Sequence, residues 1–147
     1  MENISKLNAA IYRNAQSIIN SKLIDLNIKS GQHDFFYVIS RNEGISQKEL
    51  SEFLYVGKST TAKAVKNLMT NDYVKRIQDK NDHRIYRLYL TEKGKEVLPK
   101  IESTFLELKS IFSKNLSNNE EEQTIITLKK ILAAISEEKT NLHTDID

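Results

Sequence analysis

Residues 46–71 read SQKELSEFLYVGKSTTAKAVKNLMTN, a pattern that predicts two short helices joined by a tight turn at residues 55–57. No acidic residue occurs between Leu54 and Asn71, whereas three lysines occur there. An acid-free basic helix that is supported by a preceding helix is suited to insertion into a DNA major groove. The stretch therefore predicts a helix-turn-helix that contacts DNA.

The second predicted helix has two distinct faces. Ser59, Lys63 and Lys66 recur at i, i+4 and i+7, so they share one polar stripe. The residues expected to anchor the helix to a core are Ala62, Val65, Leu68 and Met69. An ordinary solvated helix face is the alternative interpretation of the lysines.

Composition restricts the class of protein. The 147 residues suffice for one domain with its own core, and a content of 39% hydrophobic and 29% charged residues is typical of folded domains. The absence of cysteine excludes disulfides and thiol chemistry, and three widely spaced histidines give no sign of a metal site or cofactor. Without an apolar amino-terminal segment or a long apolar run, we expect a cytoplasmic protein with no membrane partner.

Charge is unevenly distributed along the chain, although the net charge is only +2. Residues 46–90 hold nine Lys and Arg against five Asp and Glu, a net charge of +4. Residues 117–147 hold three against seven, a net charge of −4. A basic middle followed by an acidic tail favours a local surface for a polyanion over a uniformly basic protein.

Two helices are predicted before this stretch. Apolar residues at three- and four-residue steps predict a long amphipathic helix over 4–26 and a second helix over 32–41. The apolar face of the second helix, interpreted as core, consists of Phe35, Phe36, Val38 and Ile39. Ser46 and Glu49 form a capping-box pattern that starts the third helix.

A hairpin is predicted directly after the lysine-bearing helix. Asn71 and Asp72 tolerate the left-handed conformation in which many helices end. Residues 73–78 and 85–90 read as two strands, and polar turn formers at 79–84 connect them. Two helices followed by a hairpin with a charged tip describe a winged helix-turn-helix.

Two further helices complete the chain. Thr91 is expected to cap a helix that continues to Phe112, and Pro99 inside it predicts a bend. Ser117 and Glu120 form a second capping-box pattern that opens the last helix. The apolar residues at coiled-coil spacing in that helix are Ile125, Leu128, Leu132 and Ile135. The predicted fold class is mainly α with a small β-hairpin wing.

Several motifs, in this order and spacing, resemble the multiple antibiotic resistance regulator (MarR) family of winged-helix repressors. The matching segments are Ser46–Leu50, Lys58–Thr61, Val65–Leu68, Tyr73–Arg76, the wing pattern Asp79-x-x-Asp82-x-Arg84 and the junction Leu90–Gly94. The likeness covers nearly the whole chain. Two positions depart from the family pattern, because Asn81 stands where arginine is frequent and Asp72 stands where glycine is usual.

The resemblance implies a homodimer of chains that each form a single domain, residues 1–147. Residues 1–30 and 92–147 would supply the N- and C-terminal dimerisation helices, and residues 32–90 the winged helix-turn-helix. Each subunit would place its lysine-bearing helix in a major groove of pseudo-palindromic DNA, with half-sites about one helical turn apart. The implied function is repression that a small-molecule effector relieves.

Eleven residues are predicted to contact DNA. They are Ser46, Gln47, Lys58, Ser59, Thr60, Lys63, Lys66, Lys80, Asp82, His83 and Arg84. Lys63 is suited either to reading guanine or to neutralising a phosphate. Arg84 is the candidate for insertion into a minor groove, with Asp82 holding it in register. An ordinary surface ion pair is the alternative interpretation of those two residues.

The resemblance also implies an effector pocket between the dimerisation helices and the winged part. The residues with suitable chemistry and approximate position are Tyr12, Arg13, Gln16 and Phe36. They would place an aromatic wall beside a cation and an amide, which suits a small aromatic or amphipathic ligand. Packing or plain surface positions are the alternative interpretation of these four residues.

Other classes of function have less support. A winged-helix dimer that acts through protein association is supported only by Asn81 in the wing. Gly57-Lys58-Ser59 matches the end of a P-loop, but Glu52 stands at the position of the first required glycine. No catalytic triad, carboxylate pair or metal cluster stands out, so neither an enzyme nor a ligand carrier is expected.

Overall fold

The computed structural model describes residues 1–146, and side chains as far as Leu142. Within this range the chain forms six helices and one antiparallel pair of strands. In chain order the elements are α1 (Ile4–Lys22), α2 (His33–Arg41), α3 (Gln47–Leu54), α4 (Lys58–Thr70), β1 (Val74–Gln78), β2 (Tyr86–Leu90), α5 (Glu92–Ser113) and α6 (Asn118–Ile146). The predicted fold class, mainly α with a β-hairpin, is confirmed.

The chain divides into two compact units, Met1–Leu108 and Lys109–Asp147, and the division falls within α5. The first unit therefore contains the complete helix-turn-helix and hairpin. The organisation expected from the sequence, a single domain with residues 32–90 as its winged part and 1–30 and 92–147 as dimerisation helices, stays a prediction.

The core of the first unit lies between α2, α3, α4, the hairpin and the first half of α5. Its largest fully buried side chains are Phe36, Leu23, Ile39, Leu50, Leu68, Leu88, Ile101, Val65 and Thr61. Phe36 packs edge-on against Tyr73, with ring centroids 6.2 Å apart, and Tyr37 stacks on Phe105 at 4.8 Å. The apolar face of α2 is thus core, as the sequence predicts.

The buried face of α4 differs from the predicted one. Thr61, Ala64, Val65 and Leu68 are buried, whereas Ala62 and Met69 are exposed. Thr61 can enter the core because the Ser51 hydroxyl donates to its hydroxyl at 2.7 Å, and Thr61 in turn donates to the Gly57 carbonyl at 3.3 Å. A buried hydroxyl with partners costs little, and the bond from Ser51 also fixes α3 against α4.

Helix α1 ends at Lys22, four residues before the predicted end. The Leu26 N–H donates to the Leu23 carbonyl in a tight turn, and the Asn27 N–H donates to the Tyr73 hydroxyl at 3.1 Å. Leu23 is buried and Leu26 packs against the core. The apolar spacing continues past the helix because these side chains still face the core after the backbone has turned.

The junction between α4 and the hairpin uses a left-handed residue, as predicted. Asp72 has φ 62° and stands directly after the Asn71 cap of α4. The two strands each begin one residue later than predicted and pair in a register that sets Val74 opposite Leu90 and Gln78 opposite Tyr86. The first of these pairs is buried and faces the core.

Helix starts follow the predicted caps with one difference. In the second unit both bonds of the Ser117–Glu120 capping box form, at 3.0 and 3.1 Å. The difference is at α3. There the Ser46 hydroxyl accepts from the Glu49 N–H as predicted, whereas the backbone of Ser46 forms a β-bridge with Arg87. Helix α5 continues through Pro99, and the predicted bend there stays a prediction.

Apolar side chains remain exposed on the terminal helices. In α1 the exposed members of the predicted stripe are Ile4, Leu7 and Ile11. In the second unit, considered by itself, the exposed members are Ile111, Phe112, Leu116, Ile125, Ile126, Leu128, Ile135 and Leu142. Three of the four residues predicted at coiled-coil spacing are in this second set, and Leu132 is half-buried.

Candidate nucleic-acid interface

The polar face of α4 is entirely accessible. Its exposed residues are Lys58, Ser59, Thr60, Lys63 and Lys66. Gly57 caps the helix without a side-chain hydrogen bond, and no acidic residue lies in the first turn. The first-turn N–H groups and the positive end of the helix dipole therefore lie at the same accessible surface as the lysines. This arrangement attracts an anion such as a phosphate.

Two predicted contacts lie at the start of α3, and they differ in accessibility. Ser46 is only 7% exposed and its hydroxyl caps α3. This leaves it little surface for DNA and counts against its assignment. Gln47 is half-exposed, and its side-chain oxygen accepts from Arg76 Nη1 of β1 at 3.2 Å.

The tip of the hairpin carries the four other predicted contacts. Arg84 is paired with Asp82 through two bonds, Nε to Oδ1 at 3.0 Å and Nη2 to Oδ2 at 2.9 Å. The Arg84 side chain is nonetheless 90% exposed, and Lys80 and His83 are exposed beside it. The expected contact between Asp82 and Arg84 is thus present, and it presents the guanidinium at the tip.

The base of the wing is held by an aspartate that the sequence did not single out as a site residue. Asp79 Oδ1 accepts from the N–H groups of Asn81 and Asp82 at 2.8 and 2.9 Å. Its Oδ2 accepts from Arg87 Nε at 2.7 Å, and Arg87 Nη1 donates to the Gly44 carbonyl at 3.0 Å. Asn81 takes part in this turn through its backbone, so the loss of the family's arginine leaves the turn intact.

Asp79 should be an unusually strong acid. The Arg87 side chain and the two backbone N–H groups lower the pKa of Asp79 from 3.8 to about 2. Because the pKa in the folded chain lies below that in the unfolded chain, the interaction stabilises the hairpin fully above about pH 4 and is lost as the pH falls through about 2. We expect carbon-detected NMR to give a carboxyl titration near pH 2.

A matched variant tests the cause of that shift. Arg87→Leu removes the side chain that contributes most to lowering the pKa of Asp79. The pKa of Asp79 should therefore rise toward its ordinary value. Arg84→Leu removes the arginine at the tip instead and should leave the Asp79 titration nearly unchanged. An Asp79 carboxyl that titrates near pH 4 in the unaltered chain would show that the turn does not form in solution.

A segment missed by sequence reasoning also lies against α4. Ser30, Gly31 and Gln32 line a cavity of about 400 Å³ together with Ser59, Thr60 and Lys63. The Gln32 side-chain oxygen accepts from Asn67 Nδ2 at 3.2 Å, and Ser30 accepts from Asn20 Nδ2 at 2.8 Å. Gly31, at φ 81°, is the only sequence signal for this segment, since glycine favours such a backbone.

Three of the four predicted effector residues come together. Tyr12, Arg13 and Gln16 line an open cavity of about 580 Å³ on α1, which Ser30 and Gly31 close on one side. The Gln16 side-chain oxygen is buried and has no hydrogen-bond partner in the described part of the chain. Phe36 does not line this cavity and is 0% exposed in the core, so its place in an effector pocket has no support from the cavity and stays a prediction.

Other kinds of site find no support in residues 1–146. No cluster of three or more potential metal-ligating side chains occurs among the described residues. Among the same residues, no helix combines the length and the apolar content that crossing a bilayer requires.

Comparison with known proteins agrees with the geometry. The model of the MarR family matches residues 25–85. An uncharacterised HTH-type transcriptional regulator of Bacillus subtilis, YybA, is 34% identical over 99 residues, which span 67% of this chain and 66% of that protein. A MarR protein from Peptoclostridium difficile has a solved structure that is 32% identical, covers 96% of this chain and 92% of its own, and gives a TM-score of 0.83.

A complex with nucleic acid is among the similar solved structures. It is a MarR family transcriptional regulator from Listeria monocytogenes in complex with a 26-mer DNA. That protein is 28% identical, and the similarity covers 98% of this chain and 96% of the other with a TM-score of 0.85. The likeness therefore includes both the helix-turn-helix and the terminal helices.

Proposed function

The chain belongs to the MarR family of transcriptional regulators, and from this we propose that it is a homodimeric, sequence-specific repressor of pseudo-palindromic DNA, released by a small-molecule effector. It is a regulator and not an enzyme. The observation that carries the proposal is the acid-free exposed face of α4, placed next to a hairpin that presents Arg84 at its tip. A recognition helix and a wing of this kind suit a major and an adjacent minor groove.

The exposed apolar stripes support the dimer. Ile4, Leu7 and Ile11 on α1 would stay in water in a lone subunit, as would the exposed apolar residues of the second unit. Contiguous apolar surface of this kind marks interfaces, and a two-fold arrangement would bury equivalent stripes of both chains at once. Two copies would also supply the two recognition helices that bind the two half-sites of a pseudo-palindrome.

The cavity on α1 supports an effector of acidic, partly aromatic character. Arg13 supplies a cation, Tyr12 an aromatic ring and Gln16 an unpartnered buried oxygen that would accept a hydrogen bond. Such a molecule relieves repression only if it binds the DNA-free state more tightly than the DNA-bound state. A cytoplasmic location accompanies this function.

The proposal is tested by binding of the full chain to the duplex upstream of its own gene, followed by fluorescence anisotropy. Lys58, Lys63, Lys66 and Lys80 of two subunits could release up to eight phosphate counterions. At about 0.9 per contact, the slope of log affinity against log salt should approach about −7. A flat salt dependence, or no binding at low salt, would overturn the proposal and favour a dimer that acts through protein association.

A further inference from the structure

A polar groove separates α3 from the hairpin. Its volume is about 530 Å³, and its cationic side chains are Lys48, Arg76 and Arg84. Gln47, at the start of α3, and Tyr86, at the start of β2, face it from opposite walls. None of the predicted roles of the hairpin uses Arg76, although Arg76 lies in the middle of β1 and reaches this groove.

The three arginines of the hairpin have different partners. Arg84 is paired with Asp82 and Arg87 with Asp79, at 2.9 and 2.7 Å. Arg76 has neutral partners, because its Nη1 donates to the Gln47 amide oxygen at 3.2 Å and its guanidinium lies 4.6 Å from the centre of the Tyr86 ring. Among the described residues Arg76 forms no ion pair, so its charge is not neutralised within the chain.

Both partners hold the guanidinium without cancelling its charge. The Tyr86 ring supports one face of the group, and Gln47 fixes one edge. A planar guanidinium has five N–H donors in a fixed fork, so the remaining donors stay available to a planar or tetrahedral anion. Orienting the side chain beforehand lowers the entropy lost when such an anion binds.

The groove also contains Glu49 and Glu52. Neither carboxylate forms an ion pair with Arg76 in the part of the chain that the structure describes. The carboxylates make the groove unsuitable for a stretch of several phosphates. One phosphate beside Arg76 fits the distribution of charge better.

We propose that Arg76, held by Tyr86 and Gln47, binds one backbone phosphate of the DNA strand that runs between the major groove read by α4 and the minor groove reached by Arg84. The inference rests on the proposed DNA binding. Helix α4 packs against β1, and Arg84 of the hairpin tip lines the same groove as Arg76. We therefore expect a duplex that touches both α4 and Arg84 to bring a backbone phosphate close to Arg76. Gln47 then acts as a positioning residue as well as a neighbour of the backbone.

Arg76→Ala tests this assignment on two duplexes, the upstream DNA and a scrambled sequence of the same length. Arg76→Ala loses one phosphate contact in each of two subunits. The slope of log affinity against log salt should therefore become less negative by about 1.8. The ratio of wild-type to variant affinity should then shrink about 12-fold between 50 and 200 mM salt. Because a phosphate carries no sequence information, both duplexes should lose affinity by the same factor.

Companion variants separate positioning from charge. Tyr86→Leu keeps the charge of Arg76 but removes its support, so affinity should fall while the salt slope stays near that of the wild type. Arg76→Lys keeps the charge without the planar fork and should behave similarly. Lys95→Ala, which removes a lysine paired with Glu92 on α5, is the matched control and should change neither quantity.

The outcomes distinguish this inference from the function on which it rests. If the wild type fails to bind either duplex at low salt, the proposed function fails. If the wild type binds with a steep salt slope and Arg76→Ala shows the same slope and affinity, the assignment of Arg76 alone is overturned. Unchanged circular dichroism and thermal midpoints in every variant confirm that the fold is intact; should Arg76→Ala fail this check, Arg76→Gln repeats the measurement with a neutral side chain of similar length.

Discussion

Replacing Gly94 by alanine is expected to lower the free energy of unfolding by about 3 kcal/mol or more. A Cβ at this position in the first turn of α5 would lie 2.2 Å from the carbonyl oxygen of Tyr73 and 3.4 Å from the Cβ of Leu90. Alanine would favour the helix by about 1 kcal/mol over glycine. The steric conflict is the larger effect, because the obstacle is backbone and not the end of a side chain.

The backbone at Tyr73 has little freedom to move away. Its N–H donates to the Leu68 carbonyl at 2.9 Å, and its carbonyl accepts from the Thr91 N–H at 3.1 Å. The Tyr73 ring is buried, and its hydroxyl accepts from the Asn27 N–H. Moving the carbonyl would therefore disturb the end of α4, the start of α5 and the segment after α1 together.

Denaturation by urea, at matched protein concentration, measures the loss. Gly57→Ala is the matched control, since nothing lies within 4 Å of a Cβ there and the backbone has φ −73°. Alanine is a poorer helix cap than glycine, so a change below about 1 kcal/mol is expected in the control. Equal stability of Gly94→Ala and the wild type would show that the junction between β2 and α5 is looser than its contacts imply.

Gly94 also shows where sequence reasoning succeeds and where it stops. The order of elements follows from local rules: apolar spacing gives the helices, alternation gives the strands, and Asn71-Asp72 provides a left-handed helix end. The junction motif Leu90–Gly94 was visible in the sequence. The reason for its glycine was not, because the conflicting carbonyl belongs to Tyr73, which lies 21 positions earlier.

Other differences from the sequence expectations share that cause. Thr61 is absent from the predicted buried face of α4, but it is buried because Ser51, ten positions away, satisfies its hydroxyl. Phe36 belongs to the face of α2 that the sequence predicts as core, and its burial against Tyr73, 37 positions later, agrees with that interpretation and not with a place in the cavity wall. The different partners of Arg76 and Arg87 likewise depend on tertiary pairing with Gln47 and Asp79, which no periodicity encodes.

Lys63→Ala and Arg84→Ala are each expected to weaken binding to the upstream duplex about 30-fold or more. A base-edge or groove contact typically contributes about 1–3 kcal/mol, and a dimer loses it twice. Both side chains are exposed, so the variants should keep the wild-type circular dichroism and a mass near twice 17.0 kDa in sedimentation. Lys95→Ala again serves as the control and should bind like the wild type.

The two variants should differ on altered DNA. If Lys63 reads guanine, Lys63→Ala should lose discrimination among substituted major-groove bases; if it contacts only phosphate, it should lose affinity equally for all sequences. Arg84→Ala should lose its preference for a narrow minor groove, as in A-tracts beside the half-site. Unaltered binding of both variants would contradict the roles assigned to α4 and the wing.

The pairing of Arg84 with Asp82 makes a sharper test possible. In Arg84→Ala the Asp82 carboxylate, which now has no cation beside it, would face the negatively charged DNA, so part of the loss reflects repulsion and not only a missing contact. The double variant Asp82→Ala/Arg84→Ala removes both charges and should therefore bind more tightly than Arg84→Ala alone. A double variant that binds no better would mean that Asp82 lies away from the DNA, and that the pair is an ordinary surface ion pair.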